Sequence, residues 1–192
     1  KLYNDIFLNE KLFSQISKVY ELSDLFDSDD LRLTEEIYQS FVRSGANLEN
    51  DDKEKYRKIT EKLSMLSPKF SNNVLNATNS INDFWIDSEK DVKGLPDNMV
   101  ESAKIKANEK NNSDKWCFSL DTDFFGIMRF CENRSIRKDV MTLFQTRCNG
   151  GEFDNSEILK EIATLRREKA KILGFDSHAD FILDRRMAQD KE

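Results

Sequence analysis

The sequence predicts a mostly α-helical fold, a bundle of long antiparallel helices carrying a small two-stranded β element. Three observations predict it. Only six Gly and two Pro punctuate 192 residues, which favours long helices over many short strands. Apolar residues recur at steps of three and four along most of the chain. Two short, bulky runs interrupt that rhythm, Asp83-Phe84-Trp85-Ile86-Asp87 and Lys115-Trp116-Cys117-Phe118-Ser119-Leu120, and both have strand character.

The first helix is expected over Asn9 to Leu25. Asn9 supplies a capping side chain, and Leu12, Phe13, Ile16, Val19 and Tyr20, with Leu22 or Ser23, keep the helical rhythm. Asp27-Ser28-Asp29-Asp30 is a polar break. Asp29 or Asp30 caps a second helix with Leu33, Ile37, Tyr38, Phe41 and Val42, and Gly45 stands where a left-handed residue stops it. A third, longest helix opens at the capping-box form Asp51-x-x-Glu54 and carries the seam Tyr56, Ile59, Leu63, Leu66, Phe70, Val74, Ala77 and Ile81. Pro68 lies inside the seam and predicts a kink near Ser64 to Ser67. Between the two strands, Gly94-Leu95-Pro96-Asp97 turns into a helix from about Asp97 to Glu109. Asp121 and Thr122 cap Asp123 to Cys131, and Asn133 caps Ser135 to Arg147. Asn149-Gly150-Gly151 breaks the chain. Asp154-x-x-Glu157 opens the next helix, which Gly174 ends. Ser177 caps a last helix containing Ala179, Phe181, Ile182 and Met187, and the polar run to Glu192 keeps helical character. Three parts are expected: a helical hairpin or bundle over residues 1–82, a strand-helix-strand insert over 83–120, and a helical part over 121–192.

Composition narrows the function. Lys and Arg total 30 against 36 Asp and Glu, a net charge of -6, so no nucleic-acid partner is expected, because a phosphate backbone calls for clustered positive charge. No apolar run approaches the roughly 18 residues that span a bilayer, so no membrane partner is expected either. Cys117, Cys131 and Cys148 are odd in number and match no C-x-x-C pattern, which points to free thiols in a reducing compartment.

The candidate chemical groups each have a structural reading. Catalytic zinc commonly uses two His one helical turn apart, and the chain holds one, His178, beside the cap Ser177. It is expected to pack at a helix entrance. Asp27-Ser28-Asp29-Asp30 imitates a calcium loop, but Arg32 stands where that loop needs Gly. Asp51, Asp52 and Glu54 suit a helix dipole. Arg166, Arg167, Lys169 and Lys171 form a basic cluster that Glu157, Glu161 and Glu168 interleave, which describes a solvated face. Gly150-Gly151 is too short to cradle a phosphate and no G-K-[ST] follows. The N-x-[ST] matches at Asn76, Asn111 and Asn133 lack a secretory context. No catalytic and no metal-ligating residue is therefore assigned, and substrate-binding residues stay unassigned.

Several stretches carry a resemblance. They are Tyr38-x-x-Phe41-Val42-Arg43-Ser44-Gly45-Ala46-Asn47-Leu48; Leu63-Ser64-Met65-Leu66-Ser67-x-x-Phe70-Ser71-x-Asn73; Gly94-Leu95-Pro96; Asn133-Arg134-x-x-Arg137; Gly150-Gly151-Glu152-x-Asp154-Asn155; and Leu165-Arg166-x-Glu168-Lys169-Ala170-Lys171-x-Leu173-Gly174-Phe175-x-x-His178-Ala179-Asp180-Phe181, running on to Arg186-Met187-Ala188. In order and spacing they resemble the thimet-oligopeptidase/peptidyl-dipeptidase family of zinc metallopeptidases, in its bacterial peptidyl-dipeptidase branch. The resemblance covers nearly the whole chain; Pro68 is a departure, standing where family members have a helix-compatible residue.

The resemblance implies two mostly helical lobes around a deep channel, with this chain as an amino-proximal to middle piece that forms wall and hinge. The family's zinc lies on an H-E-x-x-H helix plus a later Glu, expected well beyond Glu192. No position here matches it, so zinc is implied for the parent and no cofactor for this chain. The opening Lys1 and the polar end at Glu192 fit an interior piece. The parent is expected to hydrolyse short peptides, releasing carboxy-terminal dipeptides, with internal cleavage as the alternative. This chain is expected to be inactive alone and to partner the remaining lobe of the same polypeptide, in the cytoplasm, or in the periplasm if a leader was removed. A reading from another class is a free-standing helical interaction module without enzymatic activity.

Overall fold

A computed structural model describes residues 2–188, and the expected helical character of the tail beyond Ala188 lies outside the described residues. The chain divides into two compact units. One combines residues 1–67 with 160–192; the other runs from Pro68 to Leu159. Helices α4 (Asn50–Ile81) and α8 (Ser156–Ile172) each contribute to both.

The first unit opens with α1 (Leu2–Phe7), α2 (Glu10–Glu21) and α3 (Ser28–Arg43). The Asn9 carboxamide caps α2 by accepting the Leu12 N–H at 3.0 Å. That helix ends at Glu21 rather than Leu25, because residues Ser23–Leu25 tighten into a 3-10 turn. Helices α2 and α3 are antiparallel: Tyr20 stacks on Tyr38 at 4.1 Å between ring centroids, while Phe13 reaches Phe41 at 6.1 Å. The cap of α3 is Asp27 instead of Asp29 or Asp30; its carboxylate accepts both of those residues' N–H groups. Helix α1 has no counterpart among the expected elements. Six residues are too few to show a period, and tertiary contacts hold it: Asn4, 5% exposed, donates to Thr60 Oγ1 at 2.9 Å, and Phe7 packs on Phe41. In this unit α4 and α8 also run antiparallel. Tyr56 faces Lys169, whereas Lys62 pairs with Glu161.

Helix α4 starts at Asn50, its first carbonyl acceptor being Glu49, so Asp51 sits in the first turn rather than capping it. There its charge meets the positive end of the helix. The helix continues through Pro68, where the ring removes the N–H that the Ser64 carbonyl would otherwise accept. The boundary between the units falls at this residue.

In the second unit, β1 (Asp83–Ile86) and β2 (Trp116–Ser119) pair antiparallel, Asp83 opposite Ser119 and Ile86 opposite Trp116. The connection between them is α5 (Asp97–Glu109), which lies on β2 through the fully buried Ala103 and Ala107. Asp83 holds this joint from the side. The Lys106 ammonium, and then that of Lys110, keeps its carboxyl below the usual range. Helix α6 (Leu120–Phe130) begins before Asp121 and Thr122, since Asp123 accepts the Ser119 N–H at 2.8 Å and Asn82 accepts that of Asp121. Helix α7 (Arg134–Thr146) is capped by Asn133, as its sequence indicates. The core joins Ile86, Phe118, Leu120, Phe124, Ile127 and Val140. At the start of α8, the Asp154 carboxylate accepts from the Ser156 N–H and hydroxyl. Asn155, 2% exposed, is satisfied within the unit: it accepts from Asn73 Nδ2 at 2.9 Å and donates to the Phe70 carbonyl at 3.1 Å.

Candidate functional site

The groups that the sequence singles out for chemistry stay apart in space. Among the described residues no three His, Cys, Asp or Glu side chains gather where they could hold a metal ion. Zinc takes three or four such ligands, so the described residues do not fit a zinc centre. Cys117 and Cys131 are buried and Cys148 is half-buried, and burial pushes all three thiols up, away from the reactive thiolate. Cys131 donates to the Asp91 carbonyl at 3.3 Å, next to the cap Asn133. His178 opens α9 (His178–Leu183), where Ser177 Oγ caps the helix at the Asp180 N–H. Its ring lies 6.1 Å from that of Phe181, and its Nδ1 is buried without a hydrogen-bond partner. Burial, then the charges of Arg166 and Lys169, lower its pKa. The ring thus packs at the entrance of α9, beside Phe181. Helix α9 ends at Leu183, which leaves Met187 outside it and fully exposed.

Two of the stretches that carry the resemblance meet in the first unit, Tyr38 to Leu48 and Leu165 to Phe181. Both helices involved end in the same way. After α3, the Gly45 N–H bonds the Val42 carbonyl and the Ala46 N–H bonds that of Phe41; after α8, the Gly174 N–H bonds the Lys171 carbonyl and the Phe175 N–H bonds that of Ala170. Both glycines have φ +86°, the left-handed residue of a Schellman close. These closes present Arg43 and Phe175 to each other. The Arg43 guanidinium lies 5.7 Å from the centre of the Phe175 ring and 4.4 Å from that of Phe181. It donates to the Phe181 carbonyl and pairs with Asp184.

Lys169 is the group that the sequence pattern did not isolate. Its neighbours Arg166, Arg167 and Lys171 are exposed, as a solvated face requires, but Lys169 is half-buried. Spacing carried the signal: Leu165, Lys169 and Ile172 stand at i, i+4 and i+7, on the packed side of the helix. The Lys169 ammonium lies 5.1 Å from the centre of the Tyr56 ring and 5.8 Å from that of Phe181. Burial, then the Arg43 charge, lowers its pKa. Tyr56 is 1% exposed, and burial pushes its phenol upward. An opening of about 310 Å³ is lined by Tyr3, Arg43, Ser44, Tyr56, Lys169 and Arg185 among others. A second opening of about 340 Å³ shares Tyr3 and Lys169. Along its lining, Tyr3 and Ser44 share a hydrogen bond of 2.9 Å and Arg185 pairs with Glu36. The arrangement holds cations, hydroxyls and aromatic faces, without a nucleophile set against a base.

Residues 127–192 match the model of Peptidase family M3. The chain is 34% identical over 167 residues to oligopeptidase A of Haemophilus influenzae, covering 82% of this chain and 24% of that protein. It is 35% identical over 164 residues to a probable cytosolic oligopeptidase A of Arabidopsis thaliana, covering 82% and 23%. Similarity to the dipeptidyl carboxypeptidase of Escherichia coli is lower, 27% over 196 residues, but takes in 100% of this chain and 29% of that protein. The chain thus spans about a quarter of the length of the curated relatives it matches.

Proposed function

Since the chain belongs to the thimet-oligopeptidase family of peptidases, we propose that it forms a non-catalytic wall segment of a zinc peptidase acting on short peptides. The observation that carries this reading is a pairing of two facts. Similarity to peptidases extends over 80% or more of the chain, while the described residues hold no group fit for a metal. The catalytic zinc of the parent is then assigned to residues outside this chain, where it would activate water for attack on the peptide carbonyl. These residues supply scaffold, size exclusion and contact with the remaining lobe of the polypeptide. No helix of the described residues is long and apolar enough to cross a membrane; a cytoplasmic setting is part of the proposal, with the periplasm as its alternative.

Two cleavage modes compete. The higher identities, to the oligopeptidases, favour cuts within short peptides. Alignment over the whole chain favours the dipeptidyl carboxypeptidases and hence release of carboxy-terminal dipeptides. Digestion of a hexapeptide and of its carboxy-terminal amide by the full-length polypeptide separates them, because only dipeptide release from the end needs the free carboxylate. The 192-residue chain alone is expected to bind no stoichiometric zinc and to leave a blocked tetrapeptide intact. Stoichiometric zinc in the isolated chain would contradict the placement of the metal site, and a reading frame without H-E-x-x-H beyond Glu192 would overturn the peptidase reading in favour of a helical interaction module.

A further inference from the structure

We propose that the opening around Lys169 is a binding site for a single carboxylate, supplied by a small free acid or by the terminus of a short peptide. The charges around the opening do not balance internally. Arg43 is matched by Asp184 and Arg185 by Glu36. Lys169 has no hydrogen-bond or ion-pair partner among the described residues; its ammonium faces the rings of Tyr56 and Phe181. An ammonium carries three donors, and ring faces attract its charge without replacing the acceptors that water supplied. Glu61, which lines the adjoining opening, makes no hydrogen bond to it. Within this opening one positive charge is left over, and a monoanionic carboxylate provides both the matching charge and two acceptor oxygens. Tyr3 and Ser44, whose hydroxyls bond each other, line the same opening and offer hydroxyl donors to a second oxygen. The opening of about 310 Å³ admits a group of peptide-terminus size. Burial has already lowered the lysine's proton affinity, which a bound anion restores.

The test uses the 192-residue chain and four probes: acetate, N-acetyl-glycylglycine, its carboxy-terminal amide, and inorganic phosphate. Binding is followed by calorimetry and by the Nζ and Cε resonances of Lys169. The expected result is binding of the carboxylate probes with a shift of the Lys169 resonances, and loss of at least about tenfold in affinity for the amide, the size set by one charge-assisted hydrogen bond. Lys169→Met is expected to lose the same factor and Lys169→Arg to retain most of it. Acetate binding as tightly as N-acetyl-glycylglycine identifies a small acid as the ligand; tighter N-acetyl-glycylglycine identifies a peptide terminus. Equal binding of the amide, tighter binding of phosphate, or Lys169 resonances that do not move overturns the proposal. The resonance measurement decides even if Lys169→Met does not fold. None of these readouts uses hydrolysis, so the result is independent of the peptidase assignment.

Discussion

His178 shows how a residue that invites a functional reading is settled by its surroundings. Its Nδ1 is buried without a partner and two cations stand nearby, so protonation is disfavoured in the folded chain. Its pKa is lowered from the ordinary 6.5. The unfolded chain therefore binds the proton first as pH falls, and stability declines from 6.5 downward through the lowered folded value. The urea midpoint is expected to drop as pH falls below about 6.5, and His178→Phe should flatten that part of the decline. An equal slope in the variant would show that the ring does not titrate in this way. Arg43 and Asn155 carry their roles just as locally. Arg43 bridges two helix ends, and Asn155 pairs with groups of α4 in the second unit, so both belong to packing despite their polar character.

At the scale of elements, helix ends are where the chain makes its decisions. Gly174 turns the end of α8 so that Phe175 and α9 come back over Arg43. A side chain at φ +86° meets left-handed strain, and Gly174→Ala is expected to cost about 1–2 kcal/mol of unfolding free energy, since nothing within 4 Å adds a clash. Gly45→Ala should cost more, because its Cβ would stand 2.8 Å from Leu48 Cδ1. Chemical denaturation of the two variants checks both the size and the order. Capping explains the misplaced starts as well. Asp27 outcompetes Asp29 and Asp30 because the second and third N–H groups of α3, those of Asp29 and Asp30 themselves, converge on its carboxylate. Helix α6 begins early because Asn82, far away in sequence, takes its first two donors, the Leu120 N–H on its carbonyl and the Asp121 N–H on its side chain, while Asp123 accepts from the preceding Ser119 N–H.

For the molecule as a whole, apolar surface remains unclaimed. Leu25 is 80% exposed and Leu33 59%, and Leu12, Val19 and Ile37 on the same hairpin are also exposed. Surface of this kind on a helical hairpin marks an interaction face. The 192-residue chain is expected to self-associate with rising concentration in sedimentation equilibrium, with Val19→Lys and Ile37→Lys together shifting it to monomer. A chain that stays monomeric at high concentration would favour a self-contained module over a wall segment. One of the two compact units is discontinuous in sequence: residues 1–67 join 160–192, and the continuous unit Pro68 to Leu159 stands between them in sequence.

Local pattern was enough to settle the helical class, the strand pair, the bounds of α5, the caps Asn9, Asn133 and Ser177, and the glycine stops at Gly45 and Gly174. Each depends on residues within a few positions of one another, so periodicity and capping chemistry reveal them. The family was legible for a related reason: the stretches that carry it are the closes, caps and buried partners that this fold repeats. Tertiary structure alone decided α1, which six residues could not announce without Thr60 and Phe41 beneath them. It also decided that Lys169, alone of its basic cluster, faces inward with no counter-charge. A charged residue looks solvated in any local window, and only the elements packed against it determine whether water or protein surrounds it.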